Sequence, residues 1–277
     1  MTATTWQCPD GGRLQGDVFE ADVPLARAVL APGMGIPRGF YRRFAAYLAG
    51  RGIATVTFDY GDRPGTRMSD WGRRDLETVL AAQPADLPLF LVGHSCGGQL
   101  AGLAPSARRL SGLVLVAAQS GHWRHWHGRG RLGMWLLWHV LIPLLAHGRR
   151  FPARRLGMFG RDVPAGVARQ WAQWGRRRRY LFEPSPGLDT ALYRELAVPA
   201  LAYGFADDGY APAPAIDALL AEYPRLTVER RQVTPADAGL DAIGHMGFFR
   251  EGAREALWQP TADWLLTAAR ETESRHG

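Results

Sequence analysis

The run Gly93-His94-Ser95-Cys96-Gly97 sets one hydroxyl between two glycines. A serine hydroxyl is a poor nucleophile until a base takes its proton. The five residues alone are a weak signal, since glycine and serine are common, but their context is more selective. Residues 87–92 form a continuous apolar run suited to a buried parallel strand, and residues 98–103 begin a helix. A strand, tight turn and helix would hold the Ser95 hydroxyl above the sheet edge. A side chain at Gly93 or Gly97 would clash with the neighbouring strand or helix. The helix start would turn its amides toward a developing oxyanion.

Such a serine needs a histidine, and the histidine needs an orienting carboxylate. The chain order that accompanies this kind of elbow is Ser, then Asp or Glu, then His. Strand-like residues 199–203 lead into Gly204-Phe205-Ala206-Asp207-Asp208-Gly209-Tyr210-Ala211-Pro212. Counting from Pro199, or back from Pro212, favours Asp208 as the acid. Counting from Gly204 favours Asp207; two counts to one select Asp208, and the aspartate not used would serve the turn. Of eight histidines, five lie between residues 122 and 147, one in the elbow and one in the tail. Only His245, in Gly244-His245-Met246-Gly247-Phe248-Phe249, follows the last strand and precedes the final helix. The oxyanion requires two backbone donors. The loop Leu30-Ala31-Pro32-Gly33-Met34-Gly35 supplies Met34, and the elbow supplies Cys96, whose thiol reads as a packed small side chain.

The rest of the chain must position these loops. Apolar runs at 26–31, 54–58, 87–92, 112–117, 200–203 and 226–231 alternate with helical patterns at 38–49, 71–82, 98–103, 214–223 and 251–269. That rhythm predicts a mostly parallel sheet with crossover helices. Ser69 or Asp70 is the expected cap of the 71–82 helix. Residues 121–195 break the rhythm: they offer no strand, only helix-like pieces near 132–146 and 167–175. The expectation is one domain over residues 1–277, with 121–195 inserted as a helical cap. Residues 271–277 read as a disordered tail.

Together these residues resemble the α/β-hydrolase superfamily, and more narrowly a bacterial group of predicted α/β hydrolases near the serine aminopeptidases and monoacylglycerol lipase-like enzymes. The resemblance rests on Ala31-Pro32-Gly33-Met34-Gly35, Thr57-Phe58-Asp59-Tyr60, the elbow, Asp207-Asp208 with Pro212, and the segment around His245. The run Pro164-Ala165-Gly166-Val167, with Trp171, Trp174 and Tyr180, also resembles that group's insertion. Three positions depart from the pattern. Pro32 replaces a histidine, Gly61 replaces an arginine, and Phe205 replaces a glycine. The resemblance implies hydrolysis of an acyl bond without naming the substrate, and the chemistry needs no metal or organic cofactor.

The chain carries a net charge of +7, and all 33 basic residues are arginines. A coding bias is the plainest source of a lysine-free chain. Thirteen of the arginines and one acid, Asp162, fall in residues 121–182, so this segment is at +12 and the remainder at −5. The arginines fit a solvated face first, and an anionic substrate or membrane surface second. Nucleic acid is the weakest reading, because no recognition module surrounds Arg176-Arg177-Arg178-Arg179. Six of ten tryptophans lie here too, either as glue to the core or as walls of an apolar pocket. Two distant cysteines suggest neither a disulfide framework nor a metal motif. No signal-peptide pattern opens the chain, and no apolar window spans a bilayer, so a cytoplasmic protein is expected. The function expected is a serine hydrolase cleaving an ester, or a thioester or amide, most simply a carboxylesterase or lipase-like enzyme for a small or apolar acyl substrate. Acyl transfer by the same triad and a non-catalytic binding protein are the alternatives.

Overall fold

The computed structural model describes residues 1–158 and 160–276. Ten strands occur among them: β1 Thr2–Gln7, β2 Arg13–Phe19, β3 Ala26–Ala31, β4 Ile53–Phe58, β5 Leu89–His94, β6 Leu110–Val116, β7 Arg150–Phe151, β8 Val163–Pro164, β9 Pro199–Phe205 and β10 Thr227–Val233. Eight make one sheet in the order β1-β2-β4-β3-β5-β6-β9-β10. From β4 to β10 all neighbours are parallel, and β1 and β2 add an antiparallel edge.

The central strands are buried on both faces, which is why they read as unbroken apolar runs. Alternation still divides them. Leu89 and Leu91 of β5 enter one core, together with Leu113 and Leu115. Phe90 and Val92 enter the other, together with Val114 and Val116. The second core is closed by helix Arg42–Gly50 and the final helix Gln259–His276. The first is closed by the helical stretch from Met68 to Ala81 and by helix Ala165–Arg176.

The edge hairpin β1–β2 is absent from the sequence reading. Its strands are half exposed and polar, so the apolar signal is weak; the Asp10-Gly11-Gly12 turn and the threonines of β1 were its markers. The helix expected at 71–82 starts earlier, at Met68, and neither Ser69 nor Asp70 is its N-cap. Asp70 instead sits inside the first turn and accepts the Arg67 amide at 2.8 Å. Gly61 makes room for Arg63: a methyl group there would lie 2.8 Å from the Arg63 guanidinium, which pairs with buried Asp75 at 2.9 Å. The expected disordered tail is helical as far as His276; Gly277 lies outside the described residues.

Between β6 and β9 the described residues are largely helical, and the short β7–β8 pair departs from the strandless expectation. Trp126, Trp138, Trp171 and Trp174 are buried in packing, with Trp138 edge-on to Trp171 at 4.4 Å. Trp135 alone of the six is exposed by more than a third, and Trp123 is half-buried.

Candidate active site

All the predicted site residues come from loops at the carboxyl ends of β3, β5, β9 and β10, the end of an open parallel sheet where crevices form. Ser95 follows β5 with φ 51° and ψ −118°. A non-glycine residue held there stores about 1–3 kcal/mol of strain. Its amide donates to the Val116 carbonyl of β6 at 2.9 Å, and its carbonyl accepts the Gly98 and Gln99 amides. The flanking glycines are required sterically. A methyl group on Gly97 would lie 2.2 Å from the Ala31 carbonyl oxygen, and one on Gly93 would lie 2.5 Å from Gly98 Cα.

His245 stands after β10, next to Gly244 at φ 55°. Its Nδ1 lies 2.7 Å from Asp208 Oδ2 and its Nε2 lies 2.9 Å from Ser95 Oγ. A carboxylate can only accept, so Nδ1–H donates to Asp208, and Nε2 is left to accept from the serine. The second oxygen of Asp208, Oδ1, accepts the Tyr210 and Ala211 amides at 2.8 and 3.2 Å. The adjacent Asp207 points elsewhere and accepts the Ile243 amide at 2.8 Å, tying down the loop that leads to His245. Ser95 is only 9% exposed.

The loop after β3 lies against the elbow, with the Cys96 thiol 3.6 Å from the Pro32 carbonyl. Burial pushes the Cys96 thiol well above its ordinary range, so it stays protonated. Among the described residues neither the Met34 nor the Cys96 amide donates to a protein acceptor. Both are therefore available to a ligand oxygen.

Two features escape a reading of the sequence. His94 is fully buried and bridges both loops. Its Nε2–H donates to the His245 carbonyl at 2.9 Å, and its Nδ1 accepts from the Tyr41 hydroxyl at 2.8 Å. Tyr41 in turn accepts the Gly33 amide at 2.7 Å. Burial drives the pKa of His94 down to about 3, so the ring is neutral and the polarity of this relay is fixed. The second feature is a buried network. The Tyr180 hydroxyl donates to Gln99 Oε1, the Gln99 amide donates to Gln119, and Gln119 donates to the Tyr210 carbonyl beside the acid. Tyr180 adopts φ 55° to do so. Nothing in local pattern marks Gln99, Gln119 or Tyr41 for these contacts; only His94, one residue before the serine, could have drawn notice.

A parallel sheet with a strained serine after a central strand, and with acid and base on later loops, defines an α/β hydrolase architecture. A model of the "Alpha/beta hydrolase family" matches residues 28–257. The chain belongs to that family. Similar solved structures include a soluble variant of monoglyceride lipase from Saccharomyces cerevisiae, at TM-score 0.71 and 16% identity, with 97% of each chain covered. An esterase from Exiguobacterium antarcticum matches at TM-score 0.60 and 16% identity, covering 95% of this chain and 99% of that one. A monoacylglycerol lipase from Paleococcus ferrophilus matches at TM-score 0.58 and 16% identity, covering 92% and 99%. No curated protein matches the chain.

Proposed function

We propose that the protein is a serine hydrolase that cleaves a carboxylic ester, or a related thioester or amide, through an acyl-enzyme. Ser95 Oγ attacks the carbonyl carbon while His245 Nε2 takes its proton. The oxyanion is held by the Met34 and Cys96 amides. His245 then gives the proton to the departing alcohol, and the Ser95 ester remains. Water, deprotonated by His245, attacks that ester and releases the acid and the free serine. Asp208 keeps His245 in the required tautomer and stabilises the imidazolium. The segment between β6 and β9 acts as a cap that shields this chemistry from bulk water.

The observation that carries the reading is the continuous hydrogen-bonded chain from Asp208 through His245 to Ser95, at 2.7 and 2.9 Å. The strain at Ser95 and the two amides without protein acceptors support it. Esterase and lipase names among the structural neighbours are consistent with an ester substrate. The test is labelling by a fluorophosphonate probe, combined with turnover of p-nitrophenyl esters of increasing chain length. Wild-type protein should label and turn over, and Ser95→Ala should do neither. Activity that survives in Ser95→Ala would refute the reading.

A further inference from the structure

Past Arg131, every exposed residue of the helical stretch from Gly128 to Leu145 is apolar. Leu132, Trp135, Leu136, Leu141, Leu144 and Leu145 are all exposed, Leu132 by 59% and Leu144 by 63%. Its inner side is apolar as well: Leu137, Trp138 and Ile142 are buried with Trp171 and Trp174 of helix Ala165–Arg176. A helix apolar all round belongs in a core or against a second nonpolar phase. No helix among the described residues is long and apolar enough to cross a membrane. The outer side is instead suited to lying on one.

Charge decides what covers it. Arg129 and Arg131 stand at the start of the stretch, and Arg149, Arg154 and Arg155 beyond its end. Among the described residues none of these five side chains pairs with a carboxylate, whereas Arg150 and Arg161 of the same segment pair with Asp62 and Asp59. Beside the patch, a groove of about 740 Å³ runs between Ile142-Pro143 and the next helix. It carries Arg67, Arg169 and Arg176, again without a carboxylate partner among the described residues. A second copy of the chain would bring two such basic surfaces together, which like-charge repulsion opposes. An anionic bilayer satisfies both halves of the surface, with leucines and Trp135 entering the interface and arginines meeting the lipid phosphates.

We infer that this face docks the protein on an anionic lipid bilayer. Trp126, just before the helix, donates to the Gly209 carbonyl in the loop that carries Asp208, at 2.8 Å. The start of the docked stretch is thereby tied to the loop that carries Asp208, and the substrate this placement favours is an acyl ester drawn from the bilayer. Docking itself needs no catalysis, whereas a bilayer-borne substrate rests on the hydrolase reading above.

The experiment uses full-length Ser95→Ala protein with vesicles of phosphatidylcholine alone or mixed with phosphatidylglycerol. Binding should require phosphatidylglycerol and weaken as salt rises. Leu136→Asp with Leu144→Asp should reduce partitioning on the order of 10-fold or more, and Arg169→Gln with Arg176→Gln by about 5-fold or more. In otherwise wild-type protein the leucine changes should slow hydrolysis of an ester presented in those vesicles and spare a water-soluble ester, which also reports folding. Absence of binding to phosphatidylglycerol vesicles overturns the inference. So does binding that the substitutions leave intact, or a dimer that the leucine changes dissolve without affecting vesicle binding. Failure of the hydrolase reading would show separately, as turnover that ignores Ser95.

Discussion

Replacing Asp208 by asparagine tests the site at its most constrained atom. Oδ1 of Asp208 accepts two amides, from Tyr210 and Ala211, and Oδ2 accepts from His245 Nδ1. An asparagine has one oxygen to divide between these demands. If the oxygen stays with the two amides, its NH2 faces Nδ1 and donates to it. The ring proton then moves to Nε2, which can no longer accept from Ser95. If the amide flips, NH2 meets two backbone N–H donors, and leaving such buried groups unpaired costs about 1–3 kcal/mol each. The unreactive tautomer is therefore favoured, and the charge that stabilises the imidazolium is gone in both arrangements. The expected loss in kcat/KM is about 10³–10⁴-fold, or roughly 4–5.5 kcal/mol of transition-state stabilisation. Asp207→Asn is the matched control. Its single hydrogen bond, to the Ile243 amide, can be made by an asparagine oxygen, so the loss should stay within about 10-fold. Both variants are measured by p-nitrophenyl ester turnover and by the rate of fluorophosphonate labelling, with circular dichroism as the fold control. A folded Asp208→Asn within about 10-fold of wild type, or a larger loss in Asp207→Asn, would refute this reasoning.

Three other perturbations follow from the same geometry. Tyr41→Phe removes the acceptor of the Gly33 amide and the donor to His94, both buried, so stability should fall by about 2–4 kcal/mol in denaturant titration and kcat should fall more than KM changes. Gly97→Ala drives a methyl group to 2.2 Å from the Ala31 carbonyl, which should cost about 1–3 kcal/mol or more and slow probe labelling by parting the elbow from the loop after β3. His94 has a folded pKa of about 3 against an ordinary 6.5, so the unfolded chain binds the proton first. Its contribution is complete above pH 6.5 and is lost as pH falls toward 3, at up to about 1.4 kcal/mol per unit, and denaturant titrations of wild type and His94→Gln should diverge over that window.

The fold was legible because its central strands are buried on both faces. Runs such as Leu89-Phe90-Leu91-Val92 must be apolar throughout, and a reader meets them without knowing their order in the sheet. The places of Ser95, Asp208 and His245 were legible for a different reason: glycine spacing and chain order are one-dimensional properties. What stayed hidden depends on contacts between distant residues. Tyr41 meets His94 across 53 positions, and Gln119 meets the Tyr210 carbonyl across 91. The β1–β2 hairpin was missed because an edge strand buries little, so its apolar pattern is faint.

The hidden contacts also explain how a strained serine is kept in place. Ser95 sits at φ 51° only while the strands and loops around it resist relaxation. Close approach at Gly93 and Gly97 locks the turn between β3 and the helix that follows it. The relay Gly33–Tyr41–His94–His245 then fixes the loop after β3 to the loop of His245, with every member buried or nearly so. Because burial keeps His94 neutral down to about pH 3, this relay keeps one direction of donation at neutral pH. His245 and the loop that carries Met34 are thus referenced to one another through the body of the domain. The segment between β6 and β9 meets this body through Tyr180 on Gln99 and Trp126 on the Gly209 carbonyl, and takes no part in the relay itself.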